Sequence, residues 1–154
     1  VGVKSASVHY HFPTKGDLAE SIVRAYTEDF SNKLNNILRQ ESDLLPRLDA
    51  FLDVFEDVTE SGQLCLCGSI ASDSESVNDA TRRALGTFFN ASEAWLAATL
   101  EEADQSLSLD LSPADVAKIL MSGLEGAGLI DRLAGDTQHL DAFRRLTRQL
   151  VVEN

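Results

Sequence analysis

Residues 14–40 read TKGDLAESIVRAYTEDFSNKLNNILRQ, and this stretch decides the fold class. Leu18, Ile22, Tyr26, Phe30, Leu34 and Leu38 recur at intervals of four, the helical period and not the two of a strand. Thr14 is placed to cap the first turn, and Asp17, three residues on, sits at the positive end of the helix dipole. A strict repeat of four outruns the turn of about 3.6 residues, so the apolar ridge winds slowly around a long helix. Such a helix faces one neighbour at its start and another at its end, which suits a bridge between two subregions.

The same period continues downstream. Leu48, Phe51, Leu52, Phe55 and Val58 mark a second helix that stops near Ser61-Gly62. Leu64–Ile70 is apolar but short, and reads either as a brief helix or as an extended connector. A long helix is expected from about Ser76 to Ala103, with Leu85, Phe88, Phe89, Trp95, Leu96 and Leu100 as its buried stripe. Ser112-Pro113-Ala114-Asp115 is a helix start of cap, first-turn proline and acid. Val116, Ile119, Leu120, Gly123, Ala127 and Ile130 extend from it, and a last helix begins at Asp136 or Thr137 and carries Leu140, Phe143, Leu146 and Leu150. Strand alternation is nearly absent, and the chain reads as all-α.

At 154 residues the chain is long enough for one sizeable core, and 44% hydrophobic with 25% charged residues is a globular composition. No apolar run approaches the roughly 18 residues of a membrane span, and no signal-peptide pattern opens the chain. Two cysteines two positions apart are no disulfide framework, so a reducing cytoplasm is expected. A Gly-rich phosphate loop, a nucleophile elbow and a His-Glu-x-x-His arrangement are all missing, so no catalytic residue, metal site or cofactor is expected. The formal charge of −12 argues against nucleic acid when taken as a whole.

Residues 1–18, VGVKSASVHYHFPTKGDL, qualify that argument. Ser5 and Ser7 are small enough to let a helix approach a groove floor, and His9, Tyr10 and His11 are long enough to reach base edges or phosphates. Lys15 adds a positive charge beside the exposed N–H groups of a helix start, a phosphate clamp. Val3, Val8 and Phe12 would face inward. Gly2-Val3, Ser7-Val8-His9-Tyr10-His11-Phe12-Pro13, Lys15 and Asp17-Leu18 resemble the end of the helix-turn-helix of the TetR family of transcriptional repressors. Where that family usually has a second tyrosine this chain has His9, and where it favours a larger or acidic residue this chain has Gly16.

The resemblance implies a TetR-like helical bundle. Residues 1–40 would be the rear of the DNA-binding domain plus the bridging helix, and residues 41–154 a ligand-binding and dimerisation domain. It also implies two further helices before Val1, without which a recognition helix cannot be held in a major groove. Lys4, Ser5, Ser7, His9, Tyr10, His11 and Lys15 would then face operator DNA. A small, largely apolar effector is expected inside the bundle, against some subset of Tyr26, Phe30, Phe51, Phe55, Cys65, Phe88, Phe89 and Trp95. Any one of these, taken singly, reads better as ordinary core. No buried charge stands out that would select an ionic ligand.

Cys65-Leu66-Cys67-Gly68 allows two readings. The thiols are small buried hydrophobes, or Cys65, with Cys67, is a redox or electrophile sensor, which needs a thiolate stabilised by a cation or helix start and open to reagent. Some electrophile-responsive members of the family look similar here, with Gly-Cys-Leu after the same helix. Gly123, Gly126 and Gly128 in one helix trade helix propensity of roughly 1 kcal/mol each for close approach. A homodimer through helices 112–134 and 136–152 follows, with Arg144, Arg145 and Arg148 beside the last stripe. The alternative is that both stripes cover the subunit's own core.

The charge divides unevenly. Residues 1–40 balance at +1 and residues 41–154 at −13, so the acidity belongs to the body, and the end that would meet DNA is near neutral.

Overall fold

The computed structural model describes residues 10–61, 63–73, 75, 77–102 and 110–151. Six helices follow one another there: α1 (Lys15–Gln40), α2 (Leu44–Glu60), α3 (Leu66–Ala71), α4 (Asp79–Glu101), α5 (Pro113–Ala134) and α6 (Gln138–Gln149). None is long and apolar enough to cross a membrane.

Helix α1 begins with a reciprocal capping box. Asp17 N–H donates to the Thr14 hydroxyl at 3.1 Å, and Thr14 N–H donates to the Asp17 carboxylate at 2.9 Å. Its buried residues are Val23, Phe30, Leu34 and Ile37. Ile22 and Leu38, on the ridge of fours, are exposed, because each step of four advances about 40° around the axis. Val23 and Ile37 take the inward positions at the two ends.

Pro46 lies in the first turn of α2, where its missing N–H leaves no helical bond unmade. The 64–70 stretch resolves into the six-residue α3, with Cys65 as its N-cap residue and Cys67 as its second residue, both buried. Helix α4 starts at Asp79, where the Asn78 side chain accepts Thr81 N–H at 2.8 Å. That start is three residues beyond the one expected from pattern, because Asn78 does the capping. At α5, Asp115 N–H donates to the Ser112 hydroxyl at 3.1 Å, and Gly135 closes the helix at φ +75°, a left-handed cap that suits glycine.

Helix α4 lies between α1 and α5, α6 packs on α5 and α2, and the short α3 touches both α1 and α4. The core joins Phe30, Phe51, Phe55, Phe88, Leu96, Met121 and Leu124. Burial of such side chains stabilises a fold by roughly 1.5–3 kcal/mol each. Arg144 ties α6 to α2 through Asp49 at 3.1 Å, Asp53 at 2.6 Å and Glu56 at 2.8 Å, and Arg148 reaches Asp49 at 2.8 Å. These two arginines are thereby committed within the chain.

The last stripe also turns inward more than expected. Leu140 is buried, and Phe143 packs over Gly123, where a Cβ would lie 2.5 Å from its ring. Of that stripe Leu146 is the exposed member, and Ile119, Leu129, Ile130 and Leu133 of α5 are exposed as well. Leu133 is 89% exposed. An apolar band thus runs along α5 with one residue added from α6.

Candidate functional site

Two places on this scaffold hold the side chains that the sequence marks as candidates. The first is the corner where the chain enters α1. Tyr10, 82% exposed, and His11 stand edge to face with ring centroids 5.2 Å apart, and Lys15 lies exposed in the first turn of α1. Lys4, Ser5, Ser7 and His9 lie outside the described residues, as do Val3 and Val8. The corner leans on the body at Gly16, where the Thr81 hydroxyl donates to the Gly16 carbonyl at 3.2 Å and the Asn78 side chain lies close by.

The second place is inside the body. Tyr26 stacks on Phe30 at 6.4 Å and meets Phe88 at 5.6 Å; Phe30 meets Phe55 at 5.7 Å and Phe88 at 5.0 Å. Phe51 stacks on Trp95 at 5.5 Å, and Phe89 meets Phe88 edge to face at 5.2 Å. The expected ligand aromatics therefore form one continuous cluster that packs mostly on itself. Such offset and edge-on pairs are favoured by the ring quadrupoles.

The open space lies to one side of that cluster, around α3. A cavity of about 200 Å³ is bounded by Leu64, Gly68, Ser69 and Ser72 on one side and by Glu125, Gly126 and Leu129 of α5 on the other. A neighbouring cavity of about 490 Å³ is bordered by Tyr26, Val58, Leu64, Ser69 and Arg132. A third, of about 450 Å³, runs from Ser69 and Ile70 to Lys15, Gly16, Asn78 and Thr81. Ser69 borders all three, so α3 is the partition between the interior and the entry corner. Of the expected ligand residues, Tyr26 borders the second cavity, and Phe55 and Cys65 border a small crevice beneath the first.

Two carboxylates correct the expectation that the body buries no charge: Asp131 is fully buried, and Glu125 is half-buried. Its carboxylate enters the space left by Gly68, where a Cβ would stand 2.2 Å from Oε2. Its Oε1 is buried with no hydrogen-bond partner among the described residues. Burial pushes the Glu125 carboxyl up, against the lowering effect of a hydrogen bond with the Cys65 thiol. The sequence did hold a signal: Glu125 is the one charged residue between Lys118 and Asp131 on an otherwise apolar helix.

The same surroundings govern the thiols. Burial, then the Glu125 charge, raises Cys65 above its ordinary value despite the N–H of Gly68 directed at its sulfur. Burial and Glu125 push Cys67 up to about 12. The Tyr26 hydroxyl, 3.9 Å from Cys65 Sγ, is raised as well, first by burial and then by Cys65. A sensing thiolate needs a cation and access, and here a carboxylate and burial hold both thiols protonated.

Asp131, Asp136 and His139 converge at the α5–α6 turn closely enough to hold an ion. Asp131 is fully buried, and its oxygens accept backbone N–H groups of His139 and Leu140, which is a capping role.

Comparison with known proteins agrees with the helical fold. The family described as tetracyclin repressor-like, C-terminal domain, matches residues 45–147. The chain is 25% identical over 132 residues to the nucleoid occlusion factor SlmA of Marinomonas sp. (strain MWYL1), a match covering 82% of this chain and 65% of that protein. It thus spans just under two thirds of that relative's length. Among solved structures, a TetR transcriptional regulator from Legionella pneumophila is 30% identical at a TM-score of 0.88, covering 97% of this chain and 81% of that one. A TetR-family transcriptional regulator from Agrobacterium tumefaciens is 26% identical at a TM-score of 0.90, covering 98% and 82%.

Proposed function

The chain belongs to the TetR family of transcriptional regulators, and from that premise we propose that it is a repressor released from operator DNA by a small effector held in its helical body. Residues 1–40 supply the rear of the reading head and its bridge, and residues 41–154 the effector-binding and dimerisation domain. The observation that carries this is the continuity of α1. Lys15 and Tyr26 lie eleven residues apart on one helix, about 16 Å along its axis. Lys15 is beside the exposed Tyr10 and His11, and Tyr26 borders the cavity next to α3.

An effector in the α3 cavities acts on the partition that touches both α1 and α4. It selects one of two placements of α1, and in a dimer this sets the spacing of two heads. The dimer forms through Ile119, Ile130 and Leu133 of the apolar band with Leu146 of α6, while Leu129 of the same band borders the α3 cavity. Such a band is what a two-fold helical interface buries. The near-neutral entry corner meets the phosphates while the acidic body faces away from them.

The test is salt-dependent binding of the full gene product to a palindromic operator, measured by fluorescence anisotropy. Binding that weakens steeply with salt is expected. No binding at low salt would overturn the proposal. A covalent sensor at Cys65 is the weaker reading, because the buried thiol shares its site with a carboxylate. A non-covalent effector is favoured.

A further inference from the structure

We infer that the cavity between α3 and α5 takes a small amphiphilic amine, its protonated nitrogen at Glu125 and its apolar body against Leu64 and Leu129. The inference rests on the effector reading above and names the ligand class for it. The cavity of about 200 Å³ suits a compact molecule, and Glu125 is the one charged side chain on its wall. Glu125 Oε1 is buried and accepts no hydrogen bond, and no Lys or Arg pairs with the carboxylate among the described residues. A buried acceptor left without a partner is destabilising, and the strongest partner for it is an ionised N–H donor.

The surroundings discriminate by charge. The Cys65 thiol and the Tyr26 hydroxyl, the polar groups behind Glu125, supply no positive charge. An anionic ligand would be repelled, and a neutral one would offer the buried oxygen only an uncharged donor. The body's balance of −13 over residues 41–154 raises the local concentration of cations in the same sense. A metal ion is a poorer fit, since the two thiols and Glu125 do not converge into an ion-binding group among the described residues. The absence of a side chain at Gly68 is what admits the carboxylate to this position.

The test is calorimetric titration of the full gene product, in the absence of DNA, with three series of matched compounds. The amines run from butylamine to phenethylamine, and each has its alcohol and carboxylate isostere. At least one amine is expected to bind, and to bind about ten-fold or more tightly than its alcohol, a difference of about 1.4 kcal/mol. Glu125→Gln should remove that preference. Ser72→Phe, at an exposed position on the cavity wall, should block binding without disturbing the core, and it serves if Glu125→Gln fails to fold. Equal binding of amine and alcohol, preference for the carboxylate, no binding in any series, or an amine preference that survives either substitution in a folded variant would overturn the inference. Operator binding is measured separately. Operator binding without amine binding sinks the ligand class alone, and amine binding without operator binding sinks the repressor reading alone.

Discussion

Asp131, in the last turn of α5, accepts the backbone N–H of Leu140 at 2.8 Å and so caps the helix that follows it. Its other oxygen accepts the N–H of His139 at 2.9 Å and lies 2.7 Å from that residue's Nδ1. Thr137, the residue placed to cap α6, makes no such bond with its side chain. One buried carboxylate therefore fixes the angle between the two helices that bear the apolar band.

Removing it should be costly. Asp131→Ala leaves two amides without acceptors and should lower stability by about 3 kcal/mol, while Asp131→Asn, which keeps one acceptor, should lose less. Burial alone would push the Asp131 carboxyl up, but the N–H groups of Leu140 and His139 and the His139 ring hold it below the usual carboxylate range. The folded pKa thus lies below the unfolded one. Its contribution is fully present above a pH of about 4 and is lost as the pH falls through the folded value. Urea unfolding at fixed protein concentration should show a wide gap between wild type and Asp131→Asn at pH 7 that narrows toward pH 3. A gap independent of pH would contradict this account.

Gly123 and Gly126 lie three residues apart on α5 and should respond oppositely to the same change. A Cβ at Gly123 meets Phe143 at 2.5 Å, whereas one at Gly126 meets nothing within 4 Å. Gly123→Ala should cost about 1–3 kcal/mol by overpacking the α5–α6 contact. Gly126→Ala should strengthen the helix within one subunit by roughly 1 kcal/mol. If α5 pairs with its symmetry mate, the added methyl holds the two helices apart and the dimer weakens by about ten-fold, or about 1.4 kcal/mol. Sedimentation equilibrium decides the point, and an unchanged dissociation constant would remove Gly126 from the interface.

Both thiols should be slow. With Cys67 held at about 12, its thiolate fraction at pH 8 is on the order of 10⁻⁴, and reactivity follows that fraction. Native protein should resist iodoacetamide for hours at pH 8, and both cysteines should alkylate readily in denaturant. Cys65→Ser should leave operator affinity and its response to oxidants unchanged. Rapid labelling of the native chain at Cys65 would restore the covalent-sensor reading.

What the sequence disclosed was what local pattern controls. The ridge of fours from Leu18 to Leu38 marks α1, and Ser112-Pro113-Asp115 marks the start of α5 to the residue. Glu125 was illegible as a buried group because its burial depends on Gly68, 57 positions away and on another helix. The same holds for Arg144, whose partners Asp49, Asp53 and Glu56 lie on α2. The aromatic positions were legible as apolar, but a heptad pattern cannot tell a ring that packs on its neighbours from one that borders a void. Asp131 reads as an ordinary polar residue until the turn at Gly135 folds α6 back over it.

Gly16 offers the most direct test of coupling between entry corner and body. A Cβ there would lie 2.0 Å from Asn78 Nδ2. An asparagine side chain is normally free to swing aside, but Asn78 is committed: its Oδ1 caps α4 by accepting the N–H of Thr81 at 2.8 Å. Thr81 in turn donates to the Gly16 carbonyl. Any side chain at position 16 therefore dislodges the cap and the hydrogen bond together. Gly16→Glu, which restores the larger or acidic residue usual in the family, should cost about 1 kcal/mol through the lost cap. It should also loosen α1 from α4, so operator affinity changes while the cavity beside Glu125 is untouched. Asn78→Ala should lower stability similarly yet leave room for a Cβ at position 16, so adding Gly16→Glu to it should cost little more. The two substitutions should thus be strongly non-additive in thermal unfolding. Simple additivity would show that the corner and the body are not joined at this contact.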